Sequence, residues 1–290
     1  MRPLCFTLAL LRFALSFGVL AACTGSDDHV DRMAEEHEHD APTGSPAVAG
    51  ADSLDVTAAE VVYDTLGGHP VTGYLARPSS ADPATPLPGL IVIHEWWGLN
   101  DHIRAMTRRL ANEGYAALAI DLYGGQTADT PDAARTLMER TLPQGEALMG
   151  SVASALAFLR LQQRAPRVGV IGWCFGGGWA LETALSHPGQ VDAAVMYYGR
   201  VVTDGDRLAM LDAPLLGHFG EADQGIPVAD VRQMEQRLRD LRKPAEIHVY
   251  EGADHAFANP SGGNYHEDAA EASWRRTVAF LSTHLGVGRG

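Results

Sequence analysis

Apolar and polar positions divide this chain after about residue 53. Before that point the one long apolar run spans residues 4–20. Beyond it, residues 60–65 and 71–76 alternate apolar with polar around Gly67-Gly68, the pattern of an antiparallel hairpin. A Pro/Ser-rich connection over 78–88 leads to continuous apolar runs at 89–94, 115–121 and 168–171, which read as strands buried on both faces. Further strands are expected at 191–197, 215–219 and 246–250. Helical spacing of apolar residues fills the intervals, over 100–112, 131–141, 145–163, 176–185 and 228–241, and residues 267–285 close the chain as a helix. Strands alternating with helices predict an α/β fold: a doubly wound, mostly parallel sheet with helices on both faces, preceded by the antiparallel hairpin. Ligands of such sheets sit beyond the carboxyl ends of the strands. The loops beginning at His94, Asp121, Gly172, Gly220 and Gly252 are therefore where chemistry belongs.

The first 53 residues have a different character. Arg2, the apolar run interrupted by Arg12, and the small residues Leu20-Ala-Ala-Cys23 read as an export signal over 1–22, too short and too interrupted for a spanning helix. Leu-Ala-Ala-Cys resembles a bacterial lipobox, which would make Cys23 the lipidated first residue of the mature protein. Thr24 after the Cys favours the outer membrane by the same resemblance. The expected location is the periplasmic face of a bacterial membrane, with contact through the lipid anchor alone. Residues 23–53 are rich in Gly, Ser, Ala, Pro and acids, and read as a disordered acidic linker. Its run Glu35-Glu36-His37-Glu38-His39-Asp40 offers metal-binding side chains, but no spacing there fixes a coordination geometry, so a solvated linker is the reading adopted. The catalytic domain then covers residues 54–290.

Charge and cysteine count narrow the picture. The chain carries 22 basic against 36 acidic residues, a net charge of −14, with no basic stripe. Nucleic acid is excluded as the expected partner. Of the three cysteines, Cys5 leaves with the signal and Cys23 carries lipid, so Cys174 is the one remaining thiol and no internal disulfide forms.

That thiol lies in Val168-Gly-Val-Ile-Gly-Trp-Cys174-Phe-Gly-Gly, at the passage from a buried strand to a helix. A nucleophile between two glycines in a sharp strand-to-helix turn matches this context, and a helix N-terminus lowers a thiol pKa. A buried inert cysteine in a Gly-rich turn would satisfy the same pattern. Downstream, Gly220-Glu-Ala-Asp223 and Glu251-Gly-Ala-Asp254-His255-Ala-Phe follow two later strands. The order Cys174, Asp223, His255 is nucleophile, acid, base. Asp254 competes with Asp223, and ranks below it because adjacent side chains rarely present the geometry that orients an imidazole. The loop His94-Glu95-Trp96-Trp97-Gly98-Leu99-Asn100 adds a carboxylate, Glu95, expected to raise the thiol pKa by like-charge repulsion and to accept its proton. It is not a zinc-protease motif, since Gly98 stands where a second His belongs. His94, His102, His187, His218 and His248 have no partner spacing and read as structural.

Taken together, His-Glu-Trp-Trp-Gly-Leu-Asn, Asp-Leu-Tyr-Gly (121–124), Gly-Trp-Cys-Phe-Gly-Gly, Met-Tyr-Tyr-Gly (196–199), Gly-Glu-Ala-Asp and Asp-His-Ala-Phe resemble the dienelactone hydrolase family, the Cys-nucleophile branch of the α/β-hydrolase fold. The resemblance implies hydrolysis of small esters or lactones through a Cys174 acyl-enzyme, with no metal or organic cofactor. It implies that Glu95 holds the resting thiol, that His255 moves protons, and that the backbone N–H groups of Phe175 and Trp96 hold the oxyanion. Substrate contacts fall on Tyr123, Arg135 and Asn259. At the last of these, lactone-cleaving members carry one of their arginines for a substrate carboxylate; the other falls in the helical segment after Asp121-Leu-Tyr, where Arg135 or Arg140 is the stand-in. That departure leaves a second reading open, a non-catalytic small-molecule-binding protein on the same fold.

Overall fold

The computed structural model describes residue 37 and residues 45–51, 53–82 and 84–286. The signal segment and the lipidation candidate Cys23 lie outside the described residues. After a short helix α1 (Pro46–Ala51), the order is β1 (Val56–Leu66), β2 (His69–Pro78), β3 (Gly89–Ile93), α2 (Asp101–Asn112), β4 (Ala116–Ile120), α3 (Pro131–Thr141), α4 (Gly145–Ala157), β5 (Val168–Trp173), α5 (Phe175–Ser186), β6 (Ala193–Tyr197), α6 (Gly205–Ala209), β7 (Leu215–Gly220), α7 (Val228–Asp240), β8 (Ala245–Tyr250) and α8 (Glu267–Leu285).

All eight strands form one sheet in the order β1-β2-β4-β3-β5-β6-β7-β8. The β1–β2 hairpin and the β2–β4 pair are antiparallel, and every other pair is parallel. Strands β3 to β7 are buried at every position, which requires helices on both faces. Strand β8 is only half-buried, as suits an edge. The expected doubly wound sheet with its antiparallel hairpin is thus the observed one.

The chain leaves β3 outward to β4 and then crosses back to β5. The direction of winding therefore reverses between β3 and β5, which pair from Gly89↔Val168 to Ile93↔Gly172. A crevice opens at such a switch point. The residue groups after Ile93 and after Gly172 are those at its rim.

Two features depart from the expectation. Residues 45–51 do not behave as free linker: α1 packs on α2, and Ser45 Oγ hydrogen-bonds His102 Nδ1 at 3.1 Å. Ala47 and Ala51 supply enough apolar surface to dock this turn on the domain. Helix α4 continues through a π-helical turn over Phe158–Gln162, which lets Phe158 and Leu159 stay buried as the chain turns towards β5. Among the described residues no helix is long and apolar enough to cross a membrane.

The turn from β5 to α5 is steric in origin. A Cβ on Gly172 would stand 2.1 Å from the Gly176 carbonyl oxygen, and one on Gly176 would stand 2.3 Å from that of Ile93. Only bare Cα positions let the helix start this close to β3. Gly176→Ala is therefore expected to cost about 2–3 kcal/mol or to prevent folding. Thermal unfolding checks this, with a midpoint drop of roughly 4–10 °C.

Candidate active site

Cys174 sits at the apex of that turn, with φ 55° and ψ −119°. This left-handed strain costs of order 1–3 kcal/mol and persists because the surrounding backbone enforces it. The Cys174 N–H donates to the Tyr197 carbonyl at 3.0 Å, and the N–H groups of Gly177 and Gly178 donate to the Cys174 carbonyl. Backbone conformation is thereby fixed on both sides of the side chain. The sulfur itself is buried, 4% exposed.

His255 enters from the loop after β8, followed by Ala256 at φ 57°. Its Nδ1 is 2.8 Å from Asp223 Oδ2. Since a carboxylate accepts, the ring donates through Nδ1–H and turns Nε2 away from Asp223, and a ring nitrogen lies within 4.8 Å of the Cys174 sulfur. Asp223 Oδ1 accepts from the Ile226 N–H at 2.7 Å, so neither carboxylate oxygen is left without a donor. Asp254 is occupied locally, accepting from the backbone N–H of His255 at 2.7 Å. The structure thus brings Asp223, His255 and Cys174 into one chain of contacts, and leaves Asp254 outside it.

Glu95 lies two residues past the end of β3 and is buried. His94 places it: the ring donates through Nδ1 to the Glu95 carbonyl at 2.6 Å and accepts the Leu122 N–H at Nε2, tying the β3 and β4 exits together. The Glu95 carboxylate is held from an unexpected side. Asn259 Oδ1 accepts from both the backbone N–H and the hydroxyl of Ser261, which fixes the amide orientation. Asn259 Nδ2 then donates to Glu95 Oε2 at 2.6 Å. Asn259, expected as a substrate contact, is thus bonded on both sides of its amide, with its oxygen on Ser261 and its NH2 on Glu95. The Tyr198 phenol lies against Glu95 as well.

The expectation for the thiol pKa is reversed. Burial works to raise Cys174, but hydrogen bonds from His255 and His37, and the positive charge on those rings, outweigh it and bring the thiol down to about 6. The like-charge penalty falls on the other partner. Burial and the nearby thiolate push Glu95 up to about 8, against the pull of His37, His255 and Asn259. His255 is held well above the ordinary imidazole range: burial opposes this, and Asp223 and the thiolate overcome it. The pair Cys174–His255 is thus poised as thiolate and imidazolium.

His37 is the residue the sequence reading missed. Placed in a presumed linker, it is instead buried, with its ring 4.9 Å from Trp96 and edge-on to His255 at 5.1 Å. Nothing in the Glu/His/Asp run distinguishes this one histidine from its neighbours.

The remaining expected residues are distributed as follows. Phe175 is the first residue of α5, so helix geometry leaves its N–H without an internal acceptor. Trp96 lies in the loop after β3, and among the described residues neither N–H is donated to a protein acceptor. Tyr123 is buried against His94 and Phe175, with a hydroxyl that has no hydrogen-bond partner among the described residues. Arg135 pairs with Glu139 along an exposed face of α3, and Arg140 is exposed at the end of that helix. Neither figures among the charges acting on Cys174. A cavity of ≈ 50 Å³ beside the turn is lined by Leu142, Phe175, Gly178, Trp179, Glu182 and Arg200.

The chain is similar in sequence and fold to known proteins. The sequence profile of the "Dienelactone hydrolase family" matches residues 71–285. A protein of Salmonella typhimurium called "putative carboxymethylenebutenolidase" is 34% identical over 260 residues, covering 85% of this chain and 93% of its own. One of the same name from Methylorubrum extorquens is 32% identical, covering 81% and 84%. The crystal structure of a "putative dienelactone hydrolase" from Klebsiella pneumoniae superposes with a TM-score of 0.70 at 34% identity, covering 78% of this chain and 98% of its own.

Because the thiolate is the nucleophilic form, alkylation of Cys174 by iodoacetamide is expected to rise with pH through a midpoint near 6. His255→Ala removes the largest opposing contact and should move that midpoint upward, so alkylation near neutral pH slows. An unchanged midpoint in the variant would show that the imidazole does not set the thiol pKa.

Proposed function

This chain belongs to the dienelactone hydrolase family and is an ester or lactone hydrolase, and from that premise we propose that Cys174 carries the reaction as a thiolate nucleophile on small carboxylic esters or lactones. The observation that carries this reading is the buried grouping of Asp223, His255 and Cys174 at the switch point of the sheet, with the imidazole bonded to the carboxylate, a ring nitrogen within 4.8 Å of the sulfur, and the thiol pKa brought down to about 6.

The steps follow from the geometry. The Cys174 sulfur attacks the acyl carbon, and the carbonyl oxygen takes up negative charge between the N–H groups of Phe175 and Trp96. Collapse of the tetrahedral adduct breaks the C–O bond, and His255 Nε2–H protonates the leaving alkoxide. In a lactone that alkoxide stays tethered to the acyl group. Water, giving its proton to His255, then attacks the thioester and releases the carboxylic acid. Asp223 keeps the imidazole in one tautomer and steadies its positive charge. Glu95, raised to about 8, shuttles the thiol proton beside the sulfur while Asn259 holds the carboxyl in place. An amide where relatives of this type carry an arginine supports a preference for substrates without a free carboxylate at that position.

The soluble domain is expected to turn over p-nitrophenyl acetate. Cys174→Ala should lose at least about 1,000-fold in kcat/KM, and Cys174→Ser most of the activity, since a hydroxyl is a far weaker nucleophile than a thiolate. Equal rates for Cys174→Ala and the parent protein would remove the thiol from the mechanism.

We further propose that the enzyme works at the periplasmic face of a bacterial membrane, an assignment supported by the apolar run over 4–20 and Leu20-Ala-Ala-Cys23. Cys23→Ala is expected to shift the protein from the membrane fraction to the soluble one. Retention in the membrane fraction would end the lipid-anchor assignment.

A further inference from the structure

Three side chains from distant parts of the chain meet at the sulfur. Cys174 Sγ and one ring nitrogen each of His37 and His255 lie within 4.8 Å of one another, and all three residues are buried. The hydrolytic steps move electrons and protons through Cys174 and His255; His37 lowers the thiol pKa but makes or breaks no bond in them. Its imidazole is buried beside the dyad, with its ring against Trp96 and edge-on to His255, a cost that ligation of a metal ion would offset.

We propose that His37, Cys174 and His255 form a three-ligand site for a borderline-soft divalent ion, zinc above all, and that the bound ion holds the hydrolase switched off. The donor set is one thiolate sulfur and two imidazole nitrogens, which suits zinc; calcium and magnesium take oxygen ligands. Three protein ligands leave a fourth tetrahedral position for water. His255 is already oriented as a metal ligand, because Nδ1–H donates to Asp223 Oδ2 at 2.8 Å and turns Nε2 away from that carboxylate. A carboxylate behind a ligating imidazole is the arrangement that fixes ring orientation and strengthens the nitrogen as a donor. Charge is balanced too: a dication would sit against the Cys174 thiolate and beside the Glu95 carboxyl group, which is held off the ligand set by Asn259. The nearby negative charge that raises Glu95 in the ion-free protein becomes favourable once a dication is present.

On binding, the sulfur and the two ring nitrogens each donate a lone pair to the ion. The proton held between Cys174 and His255 leaves to solvent, so uptake is accompanied by acidification and no group is oxidised or reduced. The lone pairs taken by the ion are those that attack the acyl carbon and move the proton, and their loss stops turnover. The inhibitory half of this inference rests on the thiol-hydrolase reading; the ligand set does not.

The test uses the full chain with Co2+ as the spectroscopic probe and Zn2+ as the inhibitor. Cobalt is expected to produce thiolate-to-metal charge-transfer absorption that saturates at a single ion per chain and is absent in Cys174→Ser. His37→Ala and His37→Gln, each compared with the parent protein by thermal unfolding to establish that it is folded, should bind cobalt at least about tenfold more weakly, about 1.4 kcal/mol. Zinc should abolish p-nitrophenyl acetate turnover in step with saturation, with recovery on adding EDTA. Absorption without a thiolate band, or undiminished affinity in both His37 variants, would overturn the site. Tight cobalt binding with undisturbed turnover would leave the ligand set standing and defeat the assignment of Cys174 as the nucleophile.

Discussion

The site depends on a contact between backbone and backbone, where Gly176 packs so tightly that an added Cβ would stand 2.3 Å from the Ile93 carbonyl oxygen and 2.6 Å from that of His94. That contact sets how deeply α5 sinks towards the sheet, and the depth sets where the sulfur of Cys174 stands. With φ at 55°, the backbone turns sharply between β5 and α5, and Cys174 stands buried at the apex of that turn. A single side-chain atom at either flanking position would lift the helix by more than the hydrogen bonds around the sulfur can follow. The chemistry of the site is therefore downstream of packing: shape comes first, and the relay of acid, imidazole and thiol forms because shape leaves them no other partners.

Electrostatics then operate among side chains that are almost wholly buried. Two acids, a thiol and at least two imidazoles are buried together around Cys174. In such surroundings charges cannot all be present at once, and each proton is placed by its neighbours. The imidazoles stabilise the thiolate, the thiolate and burial protonate Glu95, and Asp223 stabilises the imidazolium. Moving one proton shifts the others. This is why a carboxyl group beside the nucleophile, which in isolation would suppress the thiolate, instead becomes a place to keep its proton.

Much of this was legible in the sequence, for physical reasons that differ between residues. The buried strands announced themselves because a strand covered on both faces must be apolar throughout, and the turn at Cys174 because only glycine tolerates those contacts. Asp223 and His255 could be placed at strand ends by order alone. Asn259 could be located but its task could not: its partner Glu95 is 164 residues away, and nothing local shows that Ser261 takes up the amide oxygen. His37 was invisible for the opposite reason, since a low-complexity segment gives each of its histidines the same context. Residues 45–51 were read as linker because α1 is too short to show helical periodicity, and it is tertiary contact with α2 that holds it.

The two-sided bonding of Asn259 has a consequence for how this site can change over generations. Its oxygen answers to Ser261 and its nitrogen to Glu95, so the three residues behave as one unit of inheritance. Installing a cation at 259 by itself would leave the Ser261 donors without their acceptor, while the new side chain would be drawn to the Glu95 carboxylate. A lineage moving towards acidic substrates would have to alter 259 and 261 together, or gain its positive charge from another loop. Epistasis of this kind makes some substrate ranges reachable and keeps others out of single-step reach.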